Sequence, residues 1–211
     1  MIYRPLGLMA GLVLLPASAA LAEEVSFAAT IAANAAYDTD GGLSYSGASI
    51  EGSGEMSYYG FHTGLWFETL PDDPADNAEI ELSFGYTGAL PGEAEWDVTY
   101  TRYYLDESGY QGHDIALGLG APITGRLSGA VAAIYEPEGE TVDFEAALEF
   151  AATDKWTFSA LAGKSEADDN LYTELGAGYA LTDQVTVGAL YEDADDTDGT
   201  LTFSVSYAFG G

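Results

Sequence analysis

Leu201-Thr202-Phe203-Ser204-Val205-Ser206-Tyr207-Ala208-Phe209 alternates without a break: every odd position is large and apolar, every even one is Thr, Ser or Ala. A period of two marks an extended strand, whose successive side chains point to opposite faces. A helix would scatter the same residues around its circumference. Near the C-terminal end, closing on an aromatic, this pattern predicts the last strand of an outer-membrane β-barrel, apolar towards lipid and small or polar towards the inside. Such a sheet closes only if the rest of the chain supplies enough strands of the same kind.

Working outward from that segment, twelve alternating segments can be read. The first, Val25 to Tyr37, sets Phe27, Ile31 and Tyr37 against Ser26, Thr30 and Asn34. The next three oppose Ile50, Met56 and Tyr58 to Glu51 and Glu55, Phe61, Leu65 and Phe67 to His62, Trp66 and Glu68, and Ile80, Leu82, Phe84 and Tyr86 to Glu79 and Glu81. Trp96, Val98 and Tyr100 then oppose Asp97, and Ile115, Leu117 and Leu119 oppose Asp114. The seventh segment is the least regular, with Leu127, Val131 and Tyr135 on one face and Arg126, Ser128, Ala130 and Ile134 on the other. In the eighth, Val142, Phe144, Ala146, Leu148 and Phe150 alternate with Asp143, Glu145, Ala147 and Glu149. The last four run from Trp156, Leu171 (with Glu174 on its polar face), Val185 and Leu201. About ten residues per strand plus a turn is the spacing of a transmembrane barrel. The expected fold is therefore an all-β, antiparallel up-and-down barrel of about 12 strands, with 10 or 8 as alternatives.

The connections alternate too. Those after odd segments are acidic, from Asp38-Thr39-Asp40-Gly41 to Glu192-Asp193-Ala194-Asp195-Asp196-Thr197-Asp198; those after even segments read as shorter and less charged, such as Thr153-Asp154-Lys155. An even strand count with both termini in the periplasm places the acidic set outside the cell. Aromatics gather at both strand ends, with Tyr59, Tyr86, Trp96 and Trp156 at one and Tyr37, Tyr104, Tyr135 and Tyr191 at the other, as two interfacial girdles require. The outward faces read as uncharged except for Arg102, which lies late in the fifth strand and is expected to snorkel to anionic headgroups.

The N-terminus reads as a Sec-type signal peptide. Arg4 is its positive region, Leu6 to Leu15 its apolar core, and Ala20-Leu21-Ala22 its cleavage site, giving residues 1–22 as signal and 23–211 as one barrel domain. The apolar core is too short to span a membrane, which takes ~20 residues. The chain has 5 Lys+Arg against 35 Asp+Glu; losing Arg4 leaves four cations and a net charge of −31. That charge excludes nucleic-acid binding, which needs a basic surface. With 47% hydrophobic residues, disorder is excluded as well.

Gly60-Phe61-His62-Thr63-Gly64-Leu65-Trp66, Leu82 with Gly85-Tyr86-Thr87-Gly88, and Trp96-Asp97-Val98-Thr99-Tyr100 with Tyr103-Tyr104 resemble the central hairpins of the TorF-type porin family of small outer-membrane β-barrels. The match covers roughly Ser44 to Tyr104 by motif and the remainder by architecture. It departs in the Ala-rich first strand and in ending on Gly210-Gly211. The resemblance implies a porin-like role.

The polar-face residues are the functional candidates: Glu51, Glu55, Glu68, Glu79, Glu81, Asp97, Asp114, Asp143, Glu145, Glu149 and Glu174, with Arg126 as the one cation among them. Acids lining a pore favour cations and exclude anions. The expected function is a channel for passive diffusion of small cationic or neutral solutes, with a non-conducting structural or surface-interaction barrel as the alternative. Outer-membrane lipid and lipopolysaccharide are the expected surroundings, and oligomeric state is open. Two Asp-Thr-Asp-Gly stretches, holding Asp38 and Asp40 and Asp196 and Asp198, offer several oxygens beside a tight turn. They raise Ca2+ at the outer loops as the one candidate metal, although neither completes an EF-hand spacing. No other cofactor is expected. His62 and His113 lie in no nucleophile motif, so no enzymatic activity is expected either.

Overall fold

The structure, a computed structural model, describes residues 25–71, 73–195 and 197–209. The predicted signal segment, Asp196 and the two terminal glycines lie outside the described residues. Twelve strands run in order: β1 (Ser26–Asp38), β2 (Ser44–Tyr58), β3 (Phe61–Thr69), β4 (Ala78–Ala89), β5 (Glu95–Leu105), β6 (Gly109–Thr124), β7 (Leu127–Glu136), β8 (Thr141–Ala151), β9 (Trp156–Ser165), β10 (Asn170–Ala180), β11 (Val185–Ala194) and β12 (Thr197–Phe209). Each pairs antiparallel with its neighbours in sequence, and β1 pairs with β12, so the sheet closes with no edge. Closure is the condition for a sheet in lipid, which offers no hydrogen-bond partners to a free edge.

The opening stretch does what its alternation requires. Leu201, Phe203, Val205, Tyr207 and Phe209 point outward, and Thr202, Ser204, Ser206 and Ala208 point inward across from Ala36, Asn34, Ala32 and Thr30 of β1. All twelve strands repeat this, leaving a belt of exposed apolar side chains in which Phe27 is 62%, Phe144 59% and Leu175 58% exposed. No large side chain among the described residues is fully buried. So much continuous apolar surface suits lipid and not water.

Aromatic pairs flank the belt. At the end where β1 begins and β12 finishes Tyr86 meets Trp96 at 5.7 Å and Trp156 meets Tyr179 at 4.9 Å between ring centres; at the other end Tyr37 meets Tyr45 and Tyr104 meets Tyr110, both at 5.7 Å.

The two rims differ in charge rather than in loop length. Loops after the odd strands are two to eight residues long and carry 13 acids with no Lys or Arg; those after even strands are two to five long and carry three acids with Arg126 and Lys155. We call them the acidic rim and the short-turn rim. The acidic connections are briefer than their sequence implies because strands continue beyond the greasy band. β2 starts at Ser44, β11 runs on to Ala194, and β6 starts at Gly109, with a bulge opposite Tyr103 and Tyr104 where Gly112 takes a φ of 146°. There the ladder needs no apolar residues, so alternation stops signalling a strand that backbone pairing maintains.

Three charged positions differ from expectation. Arg126 is not on the inner face of β7: it sits exposed in the turn before it and donates from Nη1 to the Ala152 carbonyl at 2.7 Å. Lys164 and Asp193 lie on the outer face near the acidic rim, Lys164 paired across strands with Phe144 and Leu171, and Asp193 with Thr173. Arg102 is therefore not the only outward charge.

Candidate functional site: the carboxylate-lined interior

Eleven of the predicted acids, Glu51, Glu55, Glu68, Glu79, Glu81, Asp97, Asp114, Asp143, Glu145, Glu149 and Glu174, occupy inward positions. Strand register gathers them. Glu51 stands opposite Glu68, and Glu68 opposite Glu79, so three carboxylates lie side by side across β2, β3 and β4. Like charges directly opposite one another destabilise a sheet, so this row needs compensation.

Neutral donors supply part of it. Asn34 Nδ2 donates to Glu51 at 3.3 Å, Trp66 Nε1 to Glu51 at 3.2 Å and the Ser49 hydroxyl to Glu68 at 2.6 Å. Across the barrel the Tyr172 hydroxyl donates to Glu145 at 2.6 Å, and the Tyr103 hydroxyl to Asp114. Gly163 makes the Tyr172 contact possible, because a Cβ there would collide with the tyrosine ring. Towards the short-turn rim His62 Nε2 lies 2.8 Å from Asp97, which also accepts from the Thr87 and Thr99 hydroxyls at 2.8 and 2.6 Å. Asp143 is spent locally, accepting the Glu166 amide at 2.9 Å and bracing the next acidic loop.

Three inward acids escape a reading of the sequence, Glu192, Glu95 and Glu136, the last ending β7 on the parity of Ile134. Glu192 is hidden in the acidic run that ends β11, yet it continues the inward series Thr186, Gly188, Leu190 and pairs with Glu174. Its charge feels those of Glu174 beside it and of Glu68, four strands away around the wall. Glu95 precedes Asp97 by two positions and opens β5 on the same face. Alternation counted onward from Thr186, back from Asp97 or onward from Ile134 locates all three.

No Lys or Arg of the described residues points inward. Arg102 and Lys164 face outward, and Arg126 and Lys155 sit in short-turn loops. Large side chains share the interior: Trp66 is 9% exposed, and Glu81, Asp114 and Glu145 are 5%, 6% and 7% exposed.

At the acidic rim the first and last loops are joined by the Thr39 amide and hydroxyl, each 2.8 Å from the Gly199 carbonyl. The two Asp-Thr-Asp-Gly stretches are thus neighbours. Asp38, Asp40 and Asp198 are exposed there and Asp196 lies outside the described residues. No group of three or more His, Cys, Asp or Glu among the described residues is arranged to hold a metal. Elsewhere on this rim Asp76 is buried, accepting from the Glu107 and Ser108 amides at 3.0 and 2.8 Å and the Ser108 hydroxyl at 2.6 Å. The Ser108 hydroxyl foremost, with the two amides, holds its carboxyl below the usual aspartate range. Asp106 is held low in the same way, chiefly by the Asn77 amide.

Among solved structures, the chain is similar to KdgM porin, with a TM-score of 0.70 at 10% identity over 85% of this chain and 99% of that one. A KdgM porin in complex with disordered oligogalacturonate gives 0.69 at the same identity and coverage. NanC porin gives 0.60 at 11% identity over 86% and 99%. These likenesses show the fold. No family model matches the chain, and no curated protein does.

Proposed function

We propose that this chain is an outer-membrane porin, exported by a Sec-type signal, that passes small cationic or neutral solutes passively and prefers cations. One observation carries the reading: the interior of a closed 12-strand barrel holds the carboxylates while every Lys and Arg of the described residues lies outside it. Fixed negative charge in a confined, low-dielectric passage draws in mobile cations and repels anions. Hydroxyl, amide, indole and imidazole groups orient the carboxylates and leave most of their charge to be balanced by protons or by ions from solution. The likeness to KdgM porin supports a channel; the oligogalacturonate in that complex is a polyanion, a kind of solute that the interior proposed here would repel. The resemblance of residues 44–104 to the TorF-type porins supports a porin-like role.

Both termini then lie in the periplasm and the acidic rim faces outward. Current across a planar bilayer holding the purified barrel tests the proposal, and an anion-selective reversal potential in a salt gradient would refute its mechanism. Changing Glu145 and Glu149 to Gln should reduce cation preference; an unchanged reversal potential would remove them from the ion path. A non-conducting barrel is the second reading, favoured by the burial of Glu81, Asp114 and Glu145 beside Trp66. Absence of current at any voltage would select it.

A further inference from the structure

Of the four Lys and Arg side chains of the described residues, Lys164 and Arg126 have polar partners within the protein, and Lys155 and Arg102 rest on aromatic rings. Lys164 pairs with Asp169, Arg126 donates to the Ala152 carbonyl, and Lys155 lies at the short-turn rim over the Tyr179 ring at 5.7 Å. Arg102 is different. It is exposed on the outer face of β5, and among the described residues no carboxylate forms an ion pair with it and no oxygen accepts a hydrogen bond from it. Its guanidinium carbon instead sits 5.3 Å from the Tyr104 ring centre and 4.8 Å from that of Tyr110. Its cross-strand partners on that face are Leu82 and His113.

The nearby acid does not serve it. Glu138 accepts the Tyr110 hydroxyl at 2.8 Å and lies 2.7 Å from His113 Nδ1. Two aromatic faces fix the guanidinium in place and leave its N–H groups turned to the surroundings, which at this height are the headgroup end of the apolar belt. Five donors in a fixed planar fork match phosphate oxygens in pairs. A guanidinium without an acceptor at an apolar surface is costly, and an anion from the leaflet removes that cost.

We propose that Arg102, held by Tyr104 and Tyr110, binds a phosphate group on a glycolipid headgroup of the outer leaflet. This rests on the outer-membrane placement above but not on conduction. The barrel, purified in mild detergent and placed in nanodiscs, would be offered lipopolysaccharide or the same lipid stripped of its phosphates, with binding read by native mass spectrometry. Intact barrels should bind the phosphorylated lipid preferentially, and Arg102→Gln should weaken that by about tenfold. Arg102→Lys should fall between, keeping the charge but losing the fork. Lys155→Gln, at the opposite rim, should bind as the unmodified chain does. Heat-modifiable mobility identifies the folded barrels to be compared. Equal binding by Arg102→Gln, or equal binding of the stripped lipid, would overturn the proposal. Displacement by millimolar inorganic phosphate would also overturn it, by making free phosphate the ligand. Binding is read on mass and not on current, so it stands or fails separately from the channel.

Discussion

The seam between β1 and β12 and the wall formed by β2, β3 and β4 are built from the same alternating pattern with opposite inner faces. Across the seam Ala32, Asn34 and Ala36 meet Ser206, Ser204 and Thr202, all uncharged; one strand away Glu51, Glu68 and Glu79 stand in a row. The difference follows from how each pairing forms. β2, β3 and β4 follow one another in the chain, so local hairpins set their register and tolerate charge repulsion. The seam joins the two ends of the chain, and its closure bears the largest loop entropy. Small neutral side chains let these strands approach with no repulsion to overcome. Only at the acidic rim, with Asp38 and Asp198, does the seam become charged.

The largest effect should come from breaking the seam's two-faced character. Val205 faces outward near the middle of β12 and is 54% exposed, whereas Ser204 beside it faces inward. Val205→Arg should destabilise the barrel by roughly 2 to 4 kcal/mol, the cost of a cation near the bilayer midplane. Ser204→Arg should cost far less, since it adds a cation to an interior that has none. Urea titration of the folded barrel in bilayers, followed by tryptophan fluorescence, measures both. Equal loss in the two variants would contradict the assignment of faces.

Ser204→Arg also tests the seam against the wall in function. Adding one positive charge inside should lower cation preference more than Glu68→Gln, which removes one negative charge from a row that retains Glu51 and Glu79. Reversal potentials in a salt gradient rank the two. If Ser204→Arg left selectivity unchanged while Glu68→Gln altered it, ions would pass along the wall and avoid the seam.

This contrast was legible in the sequence because one rule, side-chain alternation, governs strand, face and charge together. It locates all twelve strands and the eleven inward acids. It fails where charge and structure separate. The acidic run from Glu192 to Asp198 reads as loop, although β11 continues to Ala194 and turns Glu192 inward. Arg126 looks like the start of a face but caps a turn, because its backbone precedes the ladder of β7. Lys164 keeps the outward parity of Trp156, Phe158, Ala160 and Ala162, and a charge ending an apolar face is easily taken for loop. The donors that orient the acids depend on register across strands far apart in sequence: Trp66 reaches Glu51, and Tyr172 reaches Glu145, 27 positions away. Periodicity within one strand holds no information about such pairs.

A smaller effect concerns those donors. Tyr172→Phe removes the hydroxyl from buried Glu145 and should destabilise the barrel by about 1 to 3 kcal/mol, the cost of stranding a buried acceptor. Gly163→Ala should act in the same direction by displacing the ring. If Tyr172→Phe proved neutral in the same urea titration, water or a cation would be satisfying Glu145 in place of the tyrosine, and the wall would be wetter than its burial implies.

The smallest effect separates acids satisfied by the protein from acids balanced by ions. Asp76 draws three hydrogen bonds from Glu107 and Ser108, and they hold its carboxyl below the ordinary aspartate value of 3.8. A depressed folded value favours the ionised, folded form. The stabilisation is complete above 3.8 and disappears only as pH falls through the lower folded value. The Ser108 amide resonance should therefore stay fixed as pH is lowered to 3.8 and move below it. Because hydrogen bonds and not mobile ions hold this carboxylate, its midpoint should shift little between low and high salt. A midpoint at or above 3.8, or one that follows ionic strength, would place Asp76 with the ion-balanced carboxylates of the interior and remove the distinction.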